Sequence, residues 1–307
     1  MQRILEPGQI ETLAQRSIPR IRLPDRDRVF TTRAARLRQL AEGNAIGDYL
    51  RLMAALADAQ HATLAQCATP LPTPDDIAQA RAHRMPLVDA AGGPRDDVWI
   101  DVLHTLCITL EAAPQLPPAV ADVLDRLRNA PREHLDAQAR ALLAARSDGV
   151  DAAAAPFVMA ALQIVWTNLA SRFAIDDVGL LDAHGVCPVC GTLPVASIVH
   201  TEKHYHGYRF LHCALCATEW HMVRVTCSQC EATKDIAYHS IDGASGLVRA
   251  ESCDECRTYR KILYQEKDAN IEPVADDLAS LALDLLMSEA GYHRGSGNPL
   301  LWQPREA

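Results

Sequence analysis

The chain has 307 residues, of which 49% are hydrophobic and 22% are charged. This composition is typical of a folded protein and excludes a disordered or collagen-like chain, and the length suggests two domains or one large domain with an appendage. The net charge of -9 at pH 7 argues against a nucleic-acid partner, because phosphate contacts need clustered cations.

Residues 1–183 are predicted to form an α-helical domain of about five to seven helices. Apolar residues recur at helical spacing from Thr32 to Ala62, and Gly43 and Gly47 divide this run into two helices. A proline-rich link follows, and Thr73 marks the start of the next helix. The remaining helices are predicted over Asp97–Ala112, Pro118–Asn129, Arg132–Ala145 and Asp151–Ala174.

We expect a cytoplasmic protein that does not insert into a membrane. The N-terminal segment lacks the continuous apolar stretch of a secretory signal. The most apolar stretch, Ala152–Trp166, is shorter than the roughly twenty residues of a membrane span and is interpreted as a buried helix. In a reducing compartment, C-x-x-C pairs are more often metal ligands or redox centres than structural disulfides.

From His184 onward, short β-prone runs alternate with cysteine pairs, and helical spacing returns after Lys267. There we predict a single C-terminal helix with four apolar residues on one face, namely Val274, Leu278, Leu281 and Leu285. The predicted fold class is α plus small β, divided into an α-helical domain (1–183), two tandem four-cysteine metal ribbons (184–223 and 224–271) and a C-terminal helix with a tail (272–307).

Eight of the ten cysteines form four C-x-x-C pairs with matched spacing. The pattern C-x2-C-x22-C-x2-C occurs twice, with an offset of forty residues, which indicates a repeated unit. Each pair can form a metal-binding turn, called a knuckle below, and two knuckles give four sulfurs in tetrahedral array. Equal spacing favours sequential sets, although a crossed pairing of knuckles stays open. The candidate ligands are Cys187, Cys190, Cys213 and Cys216 in the first unit, and Cys227, Cys230, Cys253 and Cys256 in the second.

Four thiolates close a metal site and leave no open position, which speaks against catalysis at the metal. We find no Ser/His/Asp ordering motif and no paired-carboxylate pocket, so no catalytic residue is predicted and the protein is not expected to be an enzyme. Dithiol redox centres are the alternative to metal sites, but the expected βαβ context is missing. The donor set suits both zinc and mononuclear iron, and the Irving–Williams order favours zinc.

The cysteine segments CPVCG (187–191), RFLHCALCATEWHMVRVTCSQC (209–230) and ESCDEC (251–256), followed by EPVADDLASLALDLLM, resemble the FdhE family of formate dehydrogenase accessory proteins. The resemblance implies a cytoplasmic maturation factor that binds the catalytic subunit of respiratory formate dehydrogenase before export by the twin-arginine route. It also implies two rubredoxin-like iron sites, which moves our expectation from zinc toward iron, with zinc as the alternative.

The chain departs from the family pattern in one respect. Gly191 follows the first knuckle, but Ala217, Glu231 and Arg257 follow the others, which leaves the rubredoxin-like geometry open at those three. Six residues are predicted to contact the partner, namely His212, Glu219, Trp220, His221, Asp276 and Asp277. The first four could instead form hydrogen bonds around the metal ligands. The further alternatives are that Trp220 only shields a metal site and that the two aspartates complement a helix dipole.

Two other functions fit the same residues. A rubredoxin-like protein could pass electrons to the client enzyme, and a zinc-ribbon module could bind proteins unrelated to formate dehydrogenase. The oligomeric state is not predicted.

Overall fold

A computed structural model of the chain describes residues 19–93, 97–114, 116–146, 148–179, 181–202 and 204–302. The N-terminal segment in which we found no secretory signal lies outside these residues. In the described part of the N-terminal half there are seven α-helices, as the sequence predicts. They are α1 (Val29–Ala41), α2 (Gly47–Gln66), α3 (Pro74–Ala82), α4 (Val98–Glu111), α5 (Pro118–Asn129), α6 (Arg132–Leu143) and α7 (Ala155–Ala170).

Local sequence explains where these helices begin and end. Gly43 has a φ of +70° in the turn between α1 and α2, a conformation that glycine adopts without steric cost. At the start of α3, Thr73 and Asp76 form a reciprocal capping box, and Pro74 occupies the first turn.

The apolar helix α7 runs through the interior of the helical domain, and all its side chains except that of Met159 are buried. Two of its polar residues have internal partners: the Gln60 amide donates to Gln163 Oε1 at 3.0 Å, and Asn168 donates to Thr69 Oγ1 at 2.5 Å. The apolar stretch is therefore a core helix, as predicted. Among the described residues, no helix has the length and apolarity that a membrane span needs.

The described residues also form an eight-stranded sheet, of which seven strands come from the second half of the chain and one, β1, from the N-terminal part. Its order is β1-β4-β3-β2-β7-β6-β5, and β8 also pairs with β7. The strands of the two units form antiparallel meanders, which are joined by parallel pairing of β2 with β7. The strands are β1 (Ile21–Arg22), β2 (Pro194–Val199), β3 (Arg209–Cys213), β4 (Glu219–His221), β5 (Ile236–His239), β6 (Val248–Cys253), β7 (Thr258–Tyr264) and β8 (His293–Arg294).

The forty-residue repeat is visible in the register of this sheet. Leu211 of β3 lies opposite Trp220 of β4, and Glu251 of β6 lies opposite Arg260 of β7. Adding forty to the residue numbers of the first pair gives those of the second. The two four-cysteine units therefore have the same topology and share one sheet. The boundary between them near residue 223, like the other domain boundaries, stays a prediction.

The prediction of a single C-terminal helix is wrong in one detail. The segment forms two helices, α8 (Pro273–Ala279) and α9 (Leu281–Glu289), with a break at Ser280. The Ser280 hydroxyl donates to the Asp276 carbonyl at 2.7 Å, and Lys261 Nζ donates to the carbonyls of Asp277 and Ser280. These donors take acceptors that a continuous helix would use. After the break Leu285 points outward and is 68% exposed.

Buried ion pairs join the C-terminal segment to the helix α1. Arg33 of α1 pairs with Glu272 at 3.1 Å, and Arg36 pairs with Asp276 at 2.6 Å. These charges lie in the interior, where an unpaired charge would be costly. The first and last helical segments are therefore held together beside the sheet.

Candidate metal centres

The first four sulfurs form a buried cluster, which we call site 1 (Cys187, Cys190, Cys213 and Cys216). All four Sγ atoms lie within 4.8 Å of one another, and every one of these residues is buried. The Cys187–Cys216 sulfur separation is 3.6 Å, and the Cys190–Cys213 separation is 3.3 Å. A tetrahedral ion with metal–sulfur bonds of 2.3 Å would place sulfurs about 3.8 Å apart, so this spacing fits a single ion.

The second cluster, site 2 (Cys227, Cys230, Cys253 and Cys256), has the same connectivity. Its sulfurs also lie within 4.8 Å of one another, with separations of 3.6 Å for Cys227–Cys256 and 3.7 Å for Cys230–Cys253. The ligand sets are therefore sequential and not crossed. The two sites differ in exposure, because Cys230 is exposed and Cys256 is partly exposed.

All four knuckles have the same backbone turn. The residue after the second cysteine has a positive φ each time: +74° at Gly191, +57° at Ala217, +61° at Glu231 and +55° at Arg257. The absence of glycine at three positions therefore does not change the turn. In those three residues Cβ makes the left-handed conformation sterically unfavourable. Backbone hydrogen bonds within the turn, such as that from Glu231 N–H to the Cys227 carbonyl, stabilise it.

Threonine hydroxyls contact the sulfurs, a feature that our sequence prediction missed. Thr192 Oγ1 lies 3.1 Å from the sulfurs of both Cys190 and Cys213, and Thr258 Oγ1 lies 2.9 Å from Cys256 Sγ. Thr218 lies 3.2 Å from the fourth sulfur of site 1. The signal is present in the sequence, because threonine stands two residues after the second cysteine in three of the four knuckles.

The chemistry of site 1 fits a bound cation. Burial raises the pKa of Cys187 and Cys190. Burial also acts to raise the pKa of Cys213, but hydrogen bonds from its cysteine and threonine neighbours outweigh it and leave that pKa well below the usual value. Burial therefore opposes the ionisation of Cys187 and Cys190. A cation would allow all the sulfurs to ionise.

The helical domain holds site 1 in place. The backbone N–H groups of Val88 and Ala90 donate to the carbonyls of Val189 and Cys190, at 2.9 and 3.0 Å. On the other knuckle, Gln163 of α7 donates to the Ala214 carbonyl at 2.7 Å. Site 1 is thus built into the junction between the helical domain and the sheet.

Four predicted partner contacts flank the second knuckle, and most are buried. Glu219 accepts hydrogen bonds from His200 Nε2 at 2.8 Å and His212 Nδ1 at 3.0 Å. Burial would raise the pKa of Glu219, but these two histidines outweigh it and lower the pKa well below its usual value. Trp220 is also buried and donates to the His184 carbonyl at 2.8 Å. His221 is only half-buried.

The two predicted aspartate contacts are also internal. Asp276 pairs with Arg36, and Asp277 lies between Arg294, Lys261 and Asn298. Both carboxylates are almost fully buried. Docking through these residues stays untested, and their burial favours the alternative that they stabilise the fold.

Comparison with known proteins agrees with this architecture. Three family models match in order: "FdhE, N-terminal" over residues 18–179, "FdhE, central domain" over 186–224 and "FdhE, C-terminal domain" over 225–301.

Full-length relatives and a solved structure give the same result. The chain is 42% identical to a Protein FdhE homolog of Cronobacter sakazakii, covering 98% of this chain and 97% of that one. It is 41% identical to Protein FdhE of Salmonella paratyphi A, covering 97% and 96%. The crystal structure of the FdhE protein from Pseudomonas aeruginosa superposes with a TM-score of 0.84 at 38% identity, covering 94% of this chain and all of that one. The chain therefore belongs to the FdhE family.

Proposed function

We propose that this protein is a cytoplasmic accessory factor that binds the catalytic subunit of formate dehydrogenase during its maturation. It does so without catalysing a reaction. The two four-cysteine sites hold metal ions that fix the shape of the sheet and, with it, the docking surface.

The observation that carries the proposal is the closed character of both sites. Each offers four sulfurs to one ion, which leaves no position for a substrate. The cluster of His200, His212 and Glu219 is buried, and both histidines bond to the Glu219 carboxylate. In the described part of the chain, the metal sites are therefore suited to organising structure and not to hydrolysis or group transfer.

Exposed apolar side chains provide a surface for the partner. Two of them lie shortly before site 2 in the sequence, where Val223 is 63% and Val225 is 49% exposed. Others follow on or after β5 and on α9, namely Tyr238, Ile241, Leu285 and Leu286. Apolar side chains that cluster on a protein surface are a common feature of binding sites. We assign the docking surface to these residues.

We propose iron as the metal in both sites, from the family resemblance, since the donor set suits iron and zinc equally. Ferric ions on four thiolates would colour the purified protein red, and reduction would bleach it. A colourless protein that contains zinc would contradict the assignment of iron but not that of the sites.

A binding experiment tests the function. The protein is immobilised with metal in both sites, and the retained amount of the formate dehydrogenase catalytic subunit is measured. The double variant Val223→Ser/Val225→Ser should retain less of the subunit, because it removes apolar area from the docking surface. Ile108→Ser is the matched control: Ile108 is 58% exposed but lies in the helical domain, so its loss should leave retention unchanged.

The two parts of the proposal fail in different ways. If the metal-filled wild type does not retain the catalytic subunit, the proposed function is wrong. If Ile108→Ser lowers retention and the double variant does not, the function stands but the docking surface lies on the helical domain.

A further inference from the structure

Arg260, beside site 2, has a buried guanidinium group without a carboxylate partner. Its side chain is 4% exposed, and among the described residues no carboxylate oxygen lies within ion-pair distance of it. It donates instead to neutral oxygens: Ser228 Oγ at 2.8 Å, Ser296 Oγ at 2.7 Å and the Pro194 carbonyl. Its Nη2 atom is buried without a hydrogen-bond partner.

The nearby charges make this arrangement unfavourable as it stands. Glu251, opposite Arg260 in the sheet, pairs with Arg209 at 2.7 Å and so is already neutralised. Burial, together with the positive charges of Arg209 and Arg294, lowers the pKa of Arg260 to about 9. The group is still charged at neutral pH, and a buried charge without a counter-charge is costly.

Site 2 can supply the missing negative charge. Arg260 lines a small cavity together with Cys227 and Cys253, and its Nε atom bonds to Ser228, which lies inside the third knuckle. Four thiolates around a divalent ion carry a net charge of about -2. The filled site would thus place a net negative charge beside the cavity that Arg260 lines.

The repeat shows that this feature belongs to site 2 alone. The equivalent of Arg260 in the first unit is Trp220, and the equivalent of Glu251 is Leu211. Site 1 therefore has neutral residues where site 2 has a buried cation. Site 1 is also enclosed by the helical domain, whereas Cys230 of site 2 is exposed.

We infer that the two sites have different roles. Site 1 is a permanent structural centre, whereas site 2 is an accessible, exchangeable metal site. The positive charge of Arg260 stabilises the anionic metal–thiolate complex of site 2. This inference rests on the proposal that both sites bind metal, but not on the partner. Solvent and chelators reach site 2 through its exposed cysteine. Arg260 favours the filled state because its charge is compensated by the anionic complex there and lacks an ion-pair partner among the described residues in the empty state.

Release of zinc from the fully zinc-loaded protein to a coloured chelator tests the inference. The wild type should release one ion per chain quickly and one slowly. Cys230→Ser should lack the fast phase and keep the slow one. Arg260→Met should accelerate the fast phase about tenfold, the effect expected for loss of one buried charge interaction of ~1.4 kcal/mol, and leave the slow phase unchanged.

Two variants separate charge from packing. Arg260→Lys keeps the charge and should restore a rate near that of the wild type. Arg249→Met removes an arginine of the same sheet that stacks on Tyr264 and does not line the cavity, so it should leave both phases unchanged.

Release of both ions at one rate from the wild type would overturn the division of roles. An unchanged fast phase in Arg260→Met, or equal acceleration of both phases, would overturn the role of Arg260. Both results are independent of the retention of formate dehydrogenase, so failure here and failure of the proposed function can be told apart.

Discussion

Backbone strain is localised at single residues of the knuckles. Ala217 has a φ of +57° directly after the second knuckle, where glycine would avoid the steric cost of Cβ. We expect Ala217→Gly to raise the free energy of unfolding by about 1 kcal/mol. The midpoint of urea unfolding of the zinc-loaded protein measures this effect.

The same substitution at an ordinary position provides the control. Ala250 is buried in β6 with extended backbone, so Ala250→Gly should lower the free energy of unfolding. A loss of stability in Ala217→Gly would show that the turn at the second knuckle is not strained.

Gln163 links the helical domain to site 1 through a single side chain. Its amide donates to Ala214, and its oxygen accepts from Gln60. Gln163→Leu would leave these buried groups unpaired, and we expect a loss of about 2 kcal/mol in unfolding free energy. Gln79→Leu on the exposed face of α3 is the control and should cost little. Equal effects in the two variants would contradict the role of Gln163.

Some of these residues could be predicted from the sequence and others could not. The two four-cysteine clusters were predictable because the cysteine spacing repeats. Arg260 and Gln163 were not, because an isolated arginine or glutamine carries no local signal, and its importance depends on burial that only the tertiary structure creates.

At the level of secondary structure, the C-terminal segment depends on the buried carboxylate of Asp277. Burial would raise the pKa of Asp277, but Arg294 and Lys261 outweigh it and lower the pKa. A lowered pKa stabilises the fold above the ordinary aspartate value near 4, and this contribution is lost as the pH falls through the folded-state pKa.

We therefore expect Asp277→Asn to cost about 3 kcal/mol at pH 7, because it leaves buried cations unpaired. The difference in urea midpoint between variant and wild type should be largest at pH 7 and shrink below pH 4. Asp48→Asn removes an exposed pair with Arg51 and should have little effect at any pH. A difference that does not depend on pH would contradict this account of Asp277.

Helices were easier to predict than strands. Apolar periodicity and capping residues identified the helices α1 to α7. The sequence gives little sign of β6, because the strand carries Arg249 and Glu251, whose charges suggest a loop; in the sheet Glu251 is buried and Arg249 is partly buried. The two-residue strand β1 was missed because its partner Trp220 lies far away in the sequence.

For the molecule as a whole, the shared sheet could not be read from the repeat. Forty-residue spacing predicts two similar units, but it does not show that β2 of one pairs with β7 of the other. This pairing, and the enclosure of site 1 by the helical domain, make two equivalent motifs into unequal sites.

The docking surface and the role of Arg260 both require two ions, each bound within one unit. Metal content per folded chain, measured by native mass spectrometry, tests this requirement most directly. We predict two ions in the wild type and one in each of Cys187→Ser/Cys213→Ser and Cys227→Ser/Cys253→Ser. The variant Cys187→Ser/Cys227→Ser, which damages both sites, should hold none. One ion in that last variant, or none in either of the other two, would contradict the account.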